Sequence, residues 1–170
     1  PAFSQAEHLR NVHFDGQKQR EFSLYILSQM GYDFTAGRLD ISAHPFAIGL
    51  NPGDVRITTN YRPNDFTFAL FSSVHEGGHA LYEQRIDPDL YGTGLDTGAS
   101  MGMHEAMSRF WENRIGRSRS FWERYYPELQ NMFPDVLQSL DLEVFYLSIN
   151  AVEPSLIRIE ADELTYSLHI

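Results

Sequence analysis

Asp65-Phe66-Thr67-Phe68-Ala69-Leu70-Phe71-Ser72-Ser73-Val74-His75-Glu76-Gly77-Gly78-His79-Ala80-Leu81-Tyr82-Glu83-Gln84-Arg85 is the stretch on which the reading of this chain turns. It follows a break at Tyr61-Arg62-Pro63-Asn64, with Asp65 as a possible cap. Apolar residues recur at Phe68, Leu70, Phe71, Val74, Leu81 and Ile86, which reads as an amphipathic helix from about Asp65 to Arg85. Within it, His75-Glu76-Gly77-Gly78-His79 sets two imidazoles four positions apart. At about 3.6 residues per turn, both rings lie on one face and can reach one metal ion. Glu76 projects beside that face, where it can take a proton from a water activated by the metal. This is the arrangement of a zinc hydrolase. Gly77 and Gly78 each cost about 1 kcal/mol in a helix interior, so this helix is expected to need close approach of backbone or substrate there.

Hydrolytic zinc usually takes three protein ligands and leaves the fourth position to water. The chain has no cysteine, so the third ligand must be His, Glu or Asp. A glycine-rich, loop-like segment, Tyr91 to Ser100, precedes a second helical pattern running from Met101 to about Tyr126, with His104 and Glu105 near its start. Antiparallel packing of the two helices would bring Glu105 to the metal and complete a His-His-Glu set of the thermolysin kind. The competing reading makes His104 and Glu105 a solvated first turn, where the helix dipole favours acidic residues.

His44-Pro45-Phe46, Asp54-Val55-Arg56-Ile57-Thr58, His75 to His79, His104-Glu105 and Ile157-Arg158-Ile159-Glu160-Ala161-Asp162 follow one another at suitable intervals. In this order they resemble the M32 family of metallocarboxypeptidases, the thermostable, Taq-type group. Ala80 to Gln84 and Ser108 to Asn113 resemble it as well. The resemblance implies a mainly α, helical zincin-like (gluzincin) catalytic core with a small β-hairpin before the zinc helix. It further implies removal of single residues from peptide C-termini, activation by cobalt as well as zinc, and a homodimer. Under that reading His75, His79 and Glu105 hold the metal and Glu76 is the general base. Arg158 is the first choice for the substrate's terminal carboxylate, because a planar guanidinium suits it best. Arg56 is the second choice and has Asp54 on its own strand face as a rival partner. His44 would either donate to an oxyanion or support the fold. Two departures stand out: His104-Glu105 is followed by Ala106-Met107 where the family usually has Ser-Gln or Gly-Gln, and the family's later Gly-x-x-Gln-Asp-x-His-Trp motif is absent.

At 170 residues, 42% hydrophobic and 14% aromatic, the chain fits one globular, mostly helical domain, residues 1–170. Opening at Pro1 and ending within a helical pattern, it is expected to be a piece of a longer catalytic domain. A net charge of −10 argues against nucleic acid as a partner. No 18-residue apolar run predicts a membrane span, and the lack of cysteine suits a cytoplasmic setting. Elsewhere, Asp15 to Met30 reads as a helix stopped by Gly31. Phe46 to Leu50 and Val55 to Tyr61 read as strands around an Asn51-Pro52-Gly53 turn. Such a hairpin either offers its edge to an extended peptide or packs on the helices. Two further helices are expected over Pro134–Asn150 and Pro154–Ile170. Trp111, Phe121, Trp122, Tyr125 and Tyr126 read as core. Three rival functions remain: an inactive metal-binding scaffold, a thermolysin-type endopeptidase, and a structural domain without metal.

Overall fold

The Asp15 carboxylate accepts the Lys18 N–H and starts α1 (Gly16–Met30), and Gly31, in the left-handed region at φ 91°, ends it. Both ends fall where the sequence sets them. This computed structural model describes Leu9 and residues 12–151. The helix expected over 154–170, and with it Arg158, lies outside the described residues.

Three short strands follow: β1 (Leu39–Ile41), β2 (Ala47–Asn51) and β3 (Asp54–Thr59), in the order β1-β3-β2. β2 and β3 form the expected antiparallel hairpin, irregular between Gly49 and Asn51, and β1 adds to β3 in parallel, pairing Leu39 with Ile57. β1 is a strand the sequence does not signal, because three residues are too few to show alternation. Val55, Ile57 and Thr59 turn inward, while Arg56 stays exposed.

α2 (Phe66–Gln84) is capped by the Asp65 carboxylate, which accepts the Phe68 N–H. No residue of α2 is exposed, so it is more enclosed than an amphipathic surface helix. α1, the sheet and the helix after the glycine-rich loop all pack on it. The Thr59 hydroxyl donates to the Ala69 carbonyl, tying β3 to α2. Phe14, Phe66 and Phe133 form an aromatic knot at the N-terminal end of α2, with centroids 5.2 to 6.0 Å apart.

The pattern read as one helix from Met101 to Tyr126 is divided. α3 (Met101–Arg109) runs directly into a π-helical stretch, Phe110–Gly116, and α4 (Arg119–Met132) begins afresh. Ser118 makes the division: its Oγ donates to the Ile115 carbonyl and accepts the Phe121 N–H, ending one helix and capping the next. Pro134–Asn150 is likewise two pieces, α5 (Pro134–Leu137) and α6 (Leu142–Ile149). The carbonyls freed between them are taken by α4, since Tyr126 donates to Leu140 and Gln130 to Leu137 and Leu140. Phe121, Trp122 and Tyr126 are buried, as expected for core; Trp111 and Tyr125 pack partly buried against them. The fold class is as expected: mainly helical, with a small sheet ahead of α2.

The two adjacent glycines of α2 face different neighbours. A Cβ on Gly77 would lie 2.5 Å from Leu27 Cδ2 and 3.1 Å from Met30 Cε, both on α1. One on Gly78 would lie 2.7 Å from Ser108 Cα and 3.0 Å from the Met107 carbonyl oxygen. Side-chain ends can rotate away; backbone cannot. Gly78→Ala is expected to destabilise by about 1–3 kcal/mol through overpacking, despite a helix-propensity gain of about 1 kcal/mol. Gly77→Ala should cost less. Urea unfolding of both variants measures the difference.

Candidate metal centre

One turn of α2 sets the His75 and His79 rings edge to face, 5.0 Å between centroids. α3, drawn close at Gly78, brings Glu105 in front of both. Glu105 Oε2 lies 3.6 Å from His75 Nε2 and 3.5 Å from His79 Nε2. One donor atom from each of the three residues falls within 4.8 Å of the others. Two imidazole nitrogens and one carboxylate oxygen, with no sulfur, fit a divalent cation of the zinc type. Among the described residues this is the group of three that could hold a metal ion.

Both rings are held from behind. His75 Nδ1 lies 2.8 Å from Glu112 Oε2, on the π-helical stretch. Glu112 is flanked by Arg109 at 4.0 Å and Arg117 at 3.8 Å. His79 Nδ1 lies 2.7 Å from His104 Nδ1, whose Nε2 lies 2.5 Å from Glu83 Oε1. With Nδ1 occupied in each ring, Nε2 is turned toward Glu105. Ser108 Oγ donates to the Glu105 carbonyl and, at 3.3 Å, to its carboxylate.

Burial alone would push the His75 imidazole down. The carboxylates of Glu105, 3.6 Å away, and Glu112, hydrogen-bonded at 2.8 Å, outweigh it and raise its pKa to about 10. The two imidazoles that face it, His75 and His79, hold the Glu105 carboxyl far below the usual carboxylate range. Glu76, 8% exposed, is pushed up by burial, against the opposing pull of His75 and His79. A carboxylate held up in this way is the stronger base.

The structure brings His75, His79 and Glu105 together and sets Glu76 within their field. His104 stands behind His79, and it is not a solvated first-turn residue. Arg56 makes a two-pronged ion pair with Asp54, both bonds 2.8 Å, the rival partnership seen in the sequence. His44 is exposed before β2, its carbonyl accepting from Ser42. Glu112, Glu83 and the backing role of His104 are not apparent from the sequence. Only Glu112 carries a signal, standing two helical turns beyond Glu105 on the same face.

Two histidines on one helix, a carboxylate from the next and a buried glutamate beside them make a donor set suited to a divalent cation with a base at hand. The family model described as "Carboxypeptidase Taq (M32) metallopeptidase" matches residues 2–170, and the chain belongs to this family. Carboxypeptidase 1 of Bacillus subtilis is 54% identical over 157 residues, covering 92% of this chain and 31% of that protein. Thermostable carboxypeptidase 1 of Thermus thermophilus is 53% identical over 154 residues, covering 91% of the chain and 30% of that protein. The crystal structure of the M32 carboxypeptidase from Deinococcus radiodurans R1 superposes with a TM-score of 0.92 at 46% identity, covering 96% of this chain and 33% of that one. The chain thus spans about three-tenths of the length of the curated relatives it matches. No helix among the described residues is long and apolar enough to cross a membrane.

Glu105→Gln removes one of the two carboxylates that face His75 and should lower its pKa from about 10, with Glu112, 2.8 Å from Nδ1, still supporting the protonated ring. Nitrogen-15 NMR titration of the chelator-treated protein is expected to show the His75 midpoint lower in the variant than in wild type.

Proposed function

We propose that this chain carries the metal centre of a zinc-dependent carboxypeptidase that removes single residues from peptide C-termini. The observation that carries the reading is the convergence of His75 Nε2, His79 Nε2 and Glu105 Oε2 on one point, each histidine backed at Nδ1. Membership in a metallocarboxypeptidase family supports the substrate class.

In this reading His75, His79 and Glu105 hold the ion. Zinc bound there supplies positive charge that polarises a scissile carbonyl and acidifies a nearby water. Glu76, buried and raised in pKa, accepts that water's proton and delivers it to the leaving amine. β2 lies at the edge of the sheet, with Ile48 and Leu50 exposed, and Gly49 sits beside Glu83 of α2. That edge can take an extended peptide by backbone hydrogen bonds. Arg158 remains the proposed reader of the terminal carboxylate. Arg56 takes that role only by giving up Asp54, and His44, exposed ahead of β2, is left either to donate to an oxyanion or to support the fold. Cobalt as a second working metal and a homodimer follow from the family resemblance; a cytoplasmic setting rests on the lack of cysteine, and residues 1–170 as part of one larger catalytic domain on the chain's shorter length beside its relatives.

The test combines metal content and turnover. Wild type is expected to bind about one zinc per chain and Glu105→Ala to lose it. Glu76→Gln should keep zinc while turnover falls by roughly 10²–10⁴, the usual worth of a general base. C-terminally amidated peptides should resist cleavage; equal cleavage of amidated and free peptides would instead mark an endopeptidase. Zinc binding without turnover of either would mark a scaffold.

A further inference from the structure

The two histidines of the cluster are backed differently. His75 meets a carboxylate directly, whereas His79 meets a second imidazole that in turn meets a carboxylate. We propose that His104, held by Glu83, is a positioning residue that sets the tautomer and ring angle of His79. The inference rests on His79 being a ligand through Nε2.

Two Nδ1 atoms 2.7 Å apart share one proton: two would clash, and none would set lone pair against lone pair. A ring that presents the Nε2 lone pair to a cation carries its proton on Nδ1. His79 therefore donates and His104 Nδ1 accepts. The proton of His104 is then left on Nε2, where it is donated to the Glu83 carboxylate. With a cation on His79 Nε2 the chain Glu83–His104–His79 has one direction; without it, a doubly protonated His104 paired with Glu83 can donate to His79 Nδ1 instead.

The surroundings hold His104 in that pose. Tyr82 stands edge-on to its ring, 5.1 Å between centroids, and the Tyr82 hydroxyl accepts the Ala99 N–H. A Cβ on Gly98 would lie 2.7 Å from His104 Cδ2 and 3.1 Å from Tyr82 Cε1, so the loop ahead of α3 presses against the ring. His104 is thus packed on its flanks and bonded at both nitrogens.

The test measures zinc affinity by chelator competition, the visible spectrum of the cobalt-loaded protein and the nitrogen-15 ring signals of His79, all in the full chain. His104→Phe keeps the ring volume without an acceptor and is expected to weaken zinc by about 10–100-fold, the usual effect of losing a ligand's outer partner, and to alter the cobalt spectrum. His104→Asn restores an acceptor near the Nδ1 position and should recover much of the affinity. Glu83→Gln should add little to His104→Phe, while Glu112→Gln, acting on the other ring, should add in full. Wild-type affinity and unchanged His79 signals in His104→Phe would overturn the proposal. So would a loss that His104→Asn does not recover, which would mark packing alone. If His79→Ala also bound zinc as wild type does, the ligand assignment itself would fall with it.

Discussion

Close approach of the α3 backbone to α2 at Gly78 is the constraint on which the donor cluster depends. Ser108 is fully buried against that glycine, and Glu105 stands one helical turn before Ser108. A methyl group at position 78 would force the two backbones apart, and the Glu105 carboxylate would retreat from both imidazoles. The helix therefore carries a residue that is poor for helix formation at the point where separation has to be smallest. Gly77 performs the same service for α1, against the flexible ends of Leu27 and Met30. The glycines read in the sequence as a sign of a nearby substrate or backbone thus answer to helix packing on both sides.

What could be read in the sequence was local. α1, the hairpin and α2 declare themselves through caps, a turn and apolar spacing within a few residues. His75 and His79 declare themselves through a four-residue step, and Glu105 through the helical pattern that carries it. What could not be read was decided elsewhere in the chain. Helical spacing resumes on either side of Gly116 to Ser120 and of Ser139 to Asp141, which hides the breaks. The helices stop there because the Ser118 hydroxyl, and the Tyr126 and Gln130 side chains, capture carbonyls. β1 exists because β3 offers it an edge. The backing of His79 depends on the angle between two rings on different helices, which no spacing rule encodes.

Charge is distributed unevenly around the cluster. His75 lies between Glu105 at one nitrogen and Glu112 at the other. Arg117 stands near Glu112, stacks 3.8 Å over Phe71 and donates to the Ile149 carbonyl at the end of α6. The Arg117 guanidinium therefore links the end of α6 to Glu112 behind the cluster. A cation–π contact of this kind is worth about 0.5–2 kcal/mol.

Among the described residues, the groups that form or back the candidate cluster, from His75 to Glu112, lie in a single helical hairpin closed by the loop from Ile86 to Ser100. Its assembly asks for one short loop closure and no strand pairing, so it can proceed early in folding, ahead of the parallel β1–β3 contact. Evolution accordingly has two unequal freedoms here. Insertions at the exposed turns around Gly92 and Gly94 would lengthen the closure at small entropic cost. A single residue gained or lost between Glu105 and Glu112 would rotate one carboxylate away from His75 while leaving the other in place.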